Sequence, residues 1–328
     1  NPHYSPEIMG KTMIINYGVT MNGLAAQLLD QVVGHERPDL AIQFKQLVDE
    51  MSAMANTIVE LEDNLLKMLA DSTGNILDNE ELIGALAETK EQATEISIKL
   101  EESTKTKEEL NATRLTYMST AMRGSILYFS VARLIAIMNM YETSLNSFLV
   151  VFLRSLRVAK RDQILEKRLG YMTEEVTAQV YNYTCTGLFE IHKLMYSFQM
   201  CSMIMDDRGS LVKTELDFFL KGDQSLEQAA TPNPCPWLSA QGWKDLIKLA
   251  TVADVFEGID DLLVAEMDEF KIWYDKEMPE SESFPCGFSK RLSAFQKLLL
   301  IRCFRPDRSY NAISLFISNE IGQQFVQP

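Results

Sequence analysis

The most regular feature of the chain is a run of apolar residues spaced alternately four and three positions apart. Its members are Leu40, Phe44, Leu47, Met51, Met54, Ile58, Leu61, Leu65 and Met68. A mean period of 3.5 residues is typical of a coiled-coil seam, because it keeps one stripe of a helix facing a partner. The pattern predicts a first long helix that begins at Pro38, where the missing N–H of proline costs little.

A second series with the same spacing follows a short polar turn that contains Gly74 and Asn75. Its apolar members are Leu82, Leu86, Ala93, Ile96, Leu100, Leu110 and Tyr117. The same stripe also carries four polar residues, Thr89, Ser103, Lys107 and Arg114, so we expect the return helix to pack less firmly. Two helices joined by so short a turn run antiparallel. The sequence therefore predicts a coiled-coil hairpin over about residues 38–120, projecting as a rod from a globular base.

The rest of the chain is predicted to be mainly α-helical. One strand candidate, Thr12–Thr20, is partly β-branched and is bounded by Gly10 and Gly23. The return arm is expected to run past Tyr117 into the apolar stretch 124–140. Further helices are predicted over residues 23–33, 141–158 and 172–205, with shorter ones from there to the C-terminus.

Charge and cysteine content narrow the class of partner. The net charge is −15, and residues 38–120 hold 17 acidic but only 7 basic side chains. An acidic rod argues against direct binding to nucleic acid and suits a basic protein surface, although a solvated coiled-coil exterior gives the same charge. The five cysteines show no paired spacing, which points to a reducing compartment. The most apolar run, residues 126–138, contains Arg133 and is shorter than the roughly 20 residues of a membrane span, so no crossing is expected.

Three motifs have the outline of a functional site but lack part of its chemistry. Residues 5–12 differ by one substitution from a phosphate-binding loop, yet Ser5-Pro6 cannot supply the turn and the amide donors of the missing glycine. Residues 204–215 have the glycine and the final glutamate of a calcium loop, but Ile204 and Arg208 stand at ligand positions. His192 has no metal-ligand spacing around it and is interpreted as a packed or capping residue.

A compact charged cluster lies near the C-terminus and comprises Arg302, Arg305, Asp307 and Arg308. Three arginines around one aspartate suit a phosphate clamp or an arginine finger. They suit a structural ion-pair cluster at a helix start equally well, and we favour that interpretation. We therefore expect no catalytic, cofactor-binding or metal-binding residue in this chain.

Several separated stretches, in order along the whole chain, resemble the dynein heavy chain. They are Asn1-Pro2-His3-Tyr4-Ser5-Pro6-Glu7, Glu36-Arg37-Pro38-Asp39-Leu40, Leu77-Asp78-Asn79-Glu80-Glu81-Leu82, Gly187-Leu188-Phe189-Glu190-Ile191-His192-Lys193-Leu194, Asn233-Pro234 with Trp237-Leu238-Ser239, and Leu300-Ile301-Arg302-Cys303-Phe304-Arg305-Pro306-Asp307-Arg308. Each motif alone is weak, but their order makes the resemblance specific. It favours an axonemal member.

The resemblance implies a piece of the motor ring. Residues 1–30 would close the large subdomain of the fifth AAA+ module, and residues 31–230 would form its small subdomain. The hairpin at about 38–120 would be the buttress, or strut, which leans on the microtubule-binding stalk, and residues 231–328 would lead into the sixth module. The segment would be non-catalytic, whereas the parent chain would be a minus-end-directed ATPase motor that uses ATP and magnesium in other modules.

The same resemblance implies the surroundings of the segment. Its partners would be the stalk coiled coil of the same heavy chain and the neighbouring AAA+ modules, with the microtubule and the dynein intermediate and light chains reached through the parent. The expected location is the cytoplasm and the cytoskeleton, in the axoneme of a cilium or flagellum. Two other functions stay open from the residues alone, namely a free-standing coiled-coil scaffold and a degenerate phosphate-loop nucleotide-binding fragment.

Overall fold

The structure, a computed structural model, describes residues 5–13, 18–71, 80–224 and 232–326. Helices make up most of these residues and none of them lies in a strand, so the mainly α fold class is confirmed. The centre of the predicted strand, residues 14–17, lies outside the described residues, and Thr12, Met13 and residues 18–20 are irregular. Across the described part of the chain, no helix combines the length and the apolar character that a membrane crossing needs.

The α-helices of the described residues are named in chain order. They are α1 (Pro6–Lys11), α2 (Met21–Glu36), α3 (Pro38–Asp71), α4 (Glu80–Leu115), α5 (Met118–Ala132), α6 (Leu145–Val158), α7 (Leu165–Cys185), α8 (Glu190–Asp207), α9 (Lys213–Lys221), α10 (Ala240–Val252), α11 (Ile259–Ala265), α12 (Met267–Tyr274), α13 (Ala294–Phe304) and α14 (Ser309–Glu320). The predicted start of the first long helix at Pro38 is confirmed, and the helix predicted over 23–33 is present and longer at both ends.

Two of the predicted helices are interrupted. The return arm does not continue past Tyr117, because α4 ends at Leu115 and α5 begins after a tight turn. In that turn the Thr116 hydroxyl donates to the Thr113 carbonyl (2.7 Å) and Tyr117 is buried, so local bonds replace the helical ones. The helix predicted over 172–205 is likewise two helices, α7 and α8, with Gly187 in the break. Glycine weakens a helix interior through its backbone freedom.

The chain divides into two compact units, each with its own core. The first comprises Asn1–Ser125 and Phe152–Thr177. Its core is built on α2, whose buried residues are Leu24, Ala25, Leu28, Leu29, Val32 and Val33. Close packing centres on Gly124 of α5, where an added Cβ would lie 2.5 Å from the Phe152 ring and 2.9 Å from Leu28. The first unit therefore contains α3 and α4 together with the helices at their base.

The second unit comprises Ile126–Val151 and Ala178–Pro328. Its central element is α13, which is buried on most sides and packs against α9, α10 and α14. Aromatic rings fill much of this core; Phe295 meets Phe316 edge to face, with ring centroids 5.8 Å apart, and Phe270 stacks on Phe304 at 5.7 Å. Such pairs add to the stabilisation from buried area.

Candidate functional site: the root of the α3–α4 pair

The helices α3 and α4 have 34 and 36 residues and pack against each other. On α3 the buried or half-buried side chains include Leu40, Phe44, Leu47, Met51, Met54, Ile58, Leu61 and Leu65, whereas Met68 is 40% exposed. On α4 they include Thr89, Ala93, Ile96, Leu100, Ser103, Lys107, Leu110 and Arg114. In both helices the half-buried positions therefore recur at the same spacings of three and four residues as the apolar pattern in the sequence. The side chains of Leu82 and Leu86, and the turn residues Gly74 and Asn75, lie outside the described part of the chain.

The beginning of α3 meets the end of α4, so the two helices are antiparallel. The guanidinium carbon of Arg114, in the last turn of α4, lies 3.8 Å from the centroid of the Phe44 ring, near the start of α3. The same guanidinium pairs with Asp30 of α2. We call the region formed by Asp30, Glu36, Arg37, Phe44 and Arg114 the root of the pair.

The joint between α2 and α3 is a single non-helical residue, Arg37. Its N–H donates to the Val33 carbonyl (2.8 Å) and thereby closes α2, while its carbonyl accepts from the Ala41 N–H (3.1 Å) and opens α3. The Arg37 side chain forms a two-pronged pair with Asp39, which lowers the pKa of that carboxyl to about 2. Both side chains are about half exposed, so this pair adds little to stability. A joint of one residue, bonded on both sides, has little freedom to bend.

A buried arginine anchors the joint to two further helices. The Arg168 side chain, in α7, is 5% exposed and binds both carboxylate oxygens of Glu36, at 2.7 and 3.0 Å. It also donates to the carbonyls of Leu156 (3.2 Å), Ala159 (2.7 Å) and Lys160 (2.8 Å) at the end of α6. A helix leaves its last carbonyls without partners, and a cation there also suits the helix dipole. Arg168 therefore ties the end of α2 to α6 and α7.

The Arg168 contact sets the protonation of Glu36. The hydrogen bond from Arg168 is the largest influence and holds the pKa of the Glu36 carboxyl below its usual value of 4.5, although burial acts in the opposite direction. A carboxyl whose pKa is lower in the folded chain contributes stability that is fully present above its unfolded pKa. That contribution is lost as the pH falls through the lower, folded value.

We expect the free energy of unfolding of the Glu36→Gln variant to depend less on pH in the acid range than that of the wild type. The free energy of unfolding, measured by urea titration, should be lower than in the wild type near neutral pH, and the difference should shrink as the pH falls below about 4.5. Glu60→Gln, at an exposed position of α3, is the matched control and should leave the profile unchanged. A difference between Glu36→Gln and the wild type that does not depend on pH would contradict the assignment.

The phosphate-loop outline over residues 5–12 is helical where a phosphate loop would curve around a ligand. The amides of Ile8 and Met9 both donate to the Ser5 carbonyl, at 3.0 and 3.1 Å. The amide and the hydroxyl of Thr12 donate to the Ile8 carbonyl, at 3.1 and 2.8 Å. These donors are used within α1 and do not converge on one point, as phosphate binding requires.

The calcium-loop outline forms a helix–turn–helix between α8 and α9. Gly209 adopts φ +68°, as is common directly after a helix, and the buried Glu215 carboxylate accepts from Gln296 (2.8 Å).

His192 lies beside Tyr141, with its Nδ1 2.8 Å from the Tyr141 hydroxyl oxygen. Among the described residues, no group of three or more histidine, cysteine and acidic side chains is arranged to hold a metal ion.

The arginines of the predicted C-terminal cluster bind three different carboxylates. Arg305 pairs with Asp307 (2.8 Å). Arg302 pairs with Asp245 of α10 (3.1 Å), and Arg308 pairs with Glu280. Within the cluster the direct ion pair is Arg305–Asp307, whereas Arg302 and Arg308 fasten α13 and the turn after it to Asp245 and Glu280 of the second unit.

The anchoring residues at the root were not singled out from the sequence. Glu36 and Arg168 are 132 positions apart, and no spacing rule connects residues at that distance. Arg114 was noticed only as a polar interruption of the seam. A buried partner for a charged residue is a property of the fold, so composition and periodicity carry no signal for it.

Comparisons with known proteins give a consistent result. Residues 1–96 match the family model described as the ATP-binding dynein motor region. Over its whole length the chain is 48% identical to the dynein-1-alpha heavy chain of the flagellar inner arm I1 complex from Chlamydomonas reinhardtii and 44% identical to dynein axonemal heavy chain 10 from Homo sapiens. It is 36% identical to dynein axonemal heavy chain 1 from Homo sapiens. The chain spans 7–8% of the length of these relatives.

Proposed function

The chain belongs to the dynein heavy chain family, and we propose that it acts there as a mechanical segment that couples the motor ring to the microtubule-binding stalk. In this proposal residues 1–30 close the fifth AAA+ large subdomain and residues 31–230 form the small subdomain. The α3–α4 pair is the buttress, and residues 231–328 lead into the sixth module. The names of the relatives support an axonemal location on the cytoskeleton.

The observation that carries the proposal is the way the α3–α4 pair is attached at its base. Of the two packed helices of more than 30 residues, α3 follows α2 through the one-residue joint at Arg37, and Arg168 ties that joint to α6 and α7. A movement of these base helices would therefore be passed to the pair instead of being absorbed by a flexible linker. Close-packed interiors transmit strain in this way.

The proposed mechanism needs no chemistry within the segment. ATP turnover, with magnesium, in other modules of the parent chain would tilt the base helices, and the α3–α4 pair would move with them. Its far end would displace one stalk helix relative to the other and so change the affinity for the microtubule. Packed helices have discrete registers, so a small displacement becomes a change between two states. The parent motor would be minus-end-directed, and it would carry its intermediate and light chains elsewhere.

The test replaces two residues on the half-buried side of α3, near its middle, with aspartate. Ile58→Asp with Leu61→Asp places two charges in the half-buried face of α3, where each carboxylate loses hydration, and should separate the helices. In the full-length heavy chain, we expect ATP hydrolysis without microtubules to persist and its stimulation by microtubules to fall. ATP-driven release from microtubules should weaken in parallel, in a cosedimentation assay.

The matched control is Asn56→Asp with Val59→Asp, which adds the same charge to exposed positions of the same helix turn. It should behave like the wild type. If the Ile58 and Leu61 variant keeps normal stimulation and release, the α3–α4 pair does not couple the ring to the stalk, and the proposal is wrong.

A further inference from the structure

A buried charge lies at the root of the α3–α4 pair, where the seam spacing calls for an apolar residue. The Arg114 side chain is only 12% exposed. A guanidinium withdrawn from water is costly unless it has partners. Its partners are Asp30 of α2, the Phe44 ring of α3 at 3.8 Å, and Asn111 of α4 at 3.4 Å. One side chain thus touches three helices.

Because this contact lies close to the Arg37 joint, a small displacement there produces a larger displacement at the far end of the pair. Phe44 lies six residues after Pro38, or about 9 Å along α3, whereas the whole helix of 34 residues is about 50 Å long. A rotation about the Arg37 joint that shifts Phe44 sideways by about 1 Å moves the far end by about 5 Å. That displacement is comparable with one helical pitch.

The root therefore has two separate attachments. Arg168 and Glu36 fix the joint itself, and this pair is almost fully withdrawn from water. The joint restricts bending but still permits a small rotation of α3 about it, so a second contact away from the joint is needed to set the direction. The Arg114 contact lies at such a place, because it connects α2 with both members of the pair. Its partner Asp30 is 63% exposed, so water and salt reach this attachment.

We propose that Arg114 is a positioning residue that fixes the angle between the α3–α4 pair and α2. The assignment rests on the proposed function for its consequence, since an angle matters to the motor only if the pair couples the ring to the stalk. Through Asp30 and Phe44, Arg114 holds the pair in one direction while the base helices move. A role in stability alone predicts instead that its loss lowers the melting temperature and leaves the angle unchanged.

The experiment measures the angle directly. The full-length heavy chain is imaged by cryo-electron microscopy as wild type, Arg114→Met, Arg114→Lys and Asp30→Asn, and particles are classified by the direction of α3 relative to α2 within the first unit. Arg114→Met retains apolar contact with Phe44 but removes the charge. We expect Arg114→Met and Asp30→Asn to place about fivefold more particles outside the wild-type angle class. Arg114→Lys should be intermediate, because lysine keeps the charge but lacks the planar fork.

The control is Lys99→Met, which removes an exposed ion pair with Glu95 within α4, 15 residues before Arg114 in the sequence. It should keep the wild-type distribution. An unchanged distribution in both folded Arg114→Met and Asp30→Asn would overturn the proposal, as would an equal change in Lys99→Met. Should Arg114→Met fail to fold, Asp30→Asn still decides the question, because it alters an exposed side chain.

The same variants separate this proposal from the proposed function. A broader angle distribution with normal microtubule stimulation of ATP hydrolysis would support the positioning role and contradict coupling through the pair. An unchanged angle distribution in the Arg114 and Asp30 variants, together with loss of stimulation in the Ile58 and Leu61 variant, would contradict the positioning role and support coupling through the pair. A broader distribution accompanied by weaker stimulation supports both.

Discussion

Arg168→Met should lower the free energy of unfolding of the chain by about 3–5 kcal/mol, as is usual when one partner of a buried ion pair is removed. The Glu36 carboxylate, 15% exposed, would lose both of its bonds to the guanidinium. The end of α6 would lose donors to three carbonyls. Methionine approximately fills the space of the arginine stem, so the loss measured by urea denaturation reports the polar contacts and not a cavity.

Two further variants make this result interpretable. Arg37→Met removes an arginine one residue from Glu36, but its pair with Asp39 is exposed and should matter little. Glu36→Gln combined with Arg168→Met should recover part of the loss, because an amide that has lost the guanidinium is less costly to bury than a carboxylate that has lost it. Equal stability of the Arg168→Met and Arg37→Met variants would mean that the buried pair does not anchor the joint.

The parts of the fold that follow from local rules were predictable from the sequence. Pro38 marks the start of α3 because proline fits the first turn of a helix, and the apolar period marks the buried side of α3. The breaks at Thr116 and Gly187 were missed, although both have local causes. Apolar periodicity continues across a short break, so it cannot reveal one.

The anchoring of the root was not predictable, because it depends on which distant segments the fold brings together. The partners of Glu36 and Arg114 lie on other helices, 132 and 84 positions away. In the seam pattern Arg114 is a polar interruption, since a charge in a coiled-coil face usually weakens it. Its contact with Phe44 depends on how α3 packs against α4, and its contact with Asp30 depends on how α2 packs against the pair.

Gly242→Ala should strongly destabilise the second unit, with an expected loss of about 3 kcal/mol, the upper end of the usual range for overpacking. An added Cβ would lie 2.4 Å from the Cys303 carbonyl oxygen of α13. That oxygen belongs to the backbone of a buried helix and cannot rotate away, so α10 and α13 would have to separate. Their separation would also stretch the Arg302–Asp245 pair, at 3.1 Å, which joins the same two helices.

The control for this variant is Gly170→Ala in α7. Nothing lies within 4 Å of a Cβ added at Gly170, an exposed helical position, so alanine should stabilise the chain by about 0.5–1 kcal/mol through the lower backbone entropy of its unfolded state. The melting temperature should therefore fall in the Gly242→Ala variant and rise in the Gly170→Ala variant, although both changes add one methyl group. Hydrogen exchange should locate the Gly242→Ala effect in α10 and α13. A melting temperature that rises in both variants would show that α10 and α13 do not approach as closely as their backbones indicate, because helix propensity alone would then govern both sites.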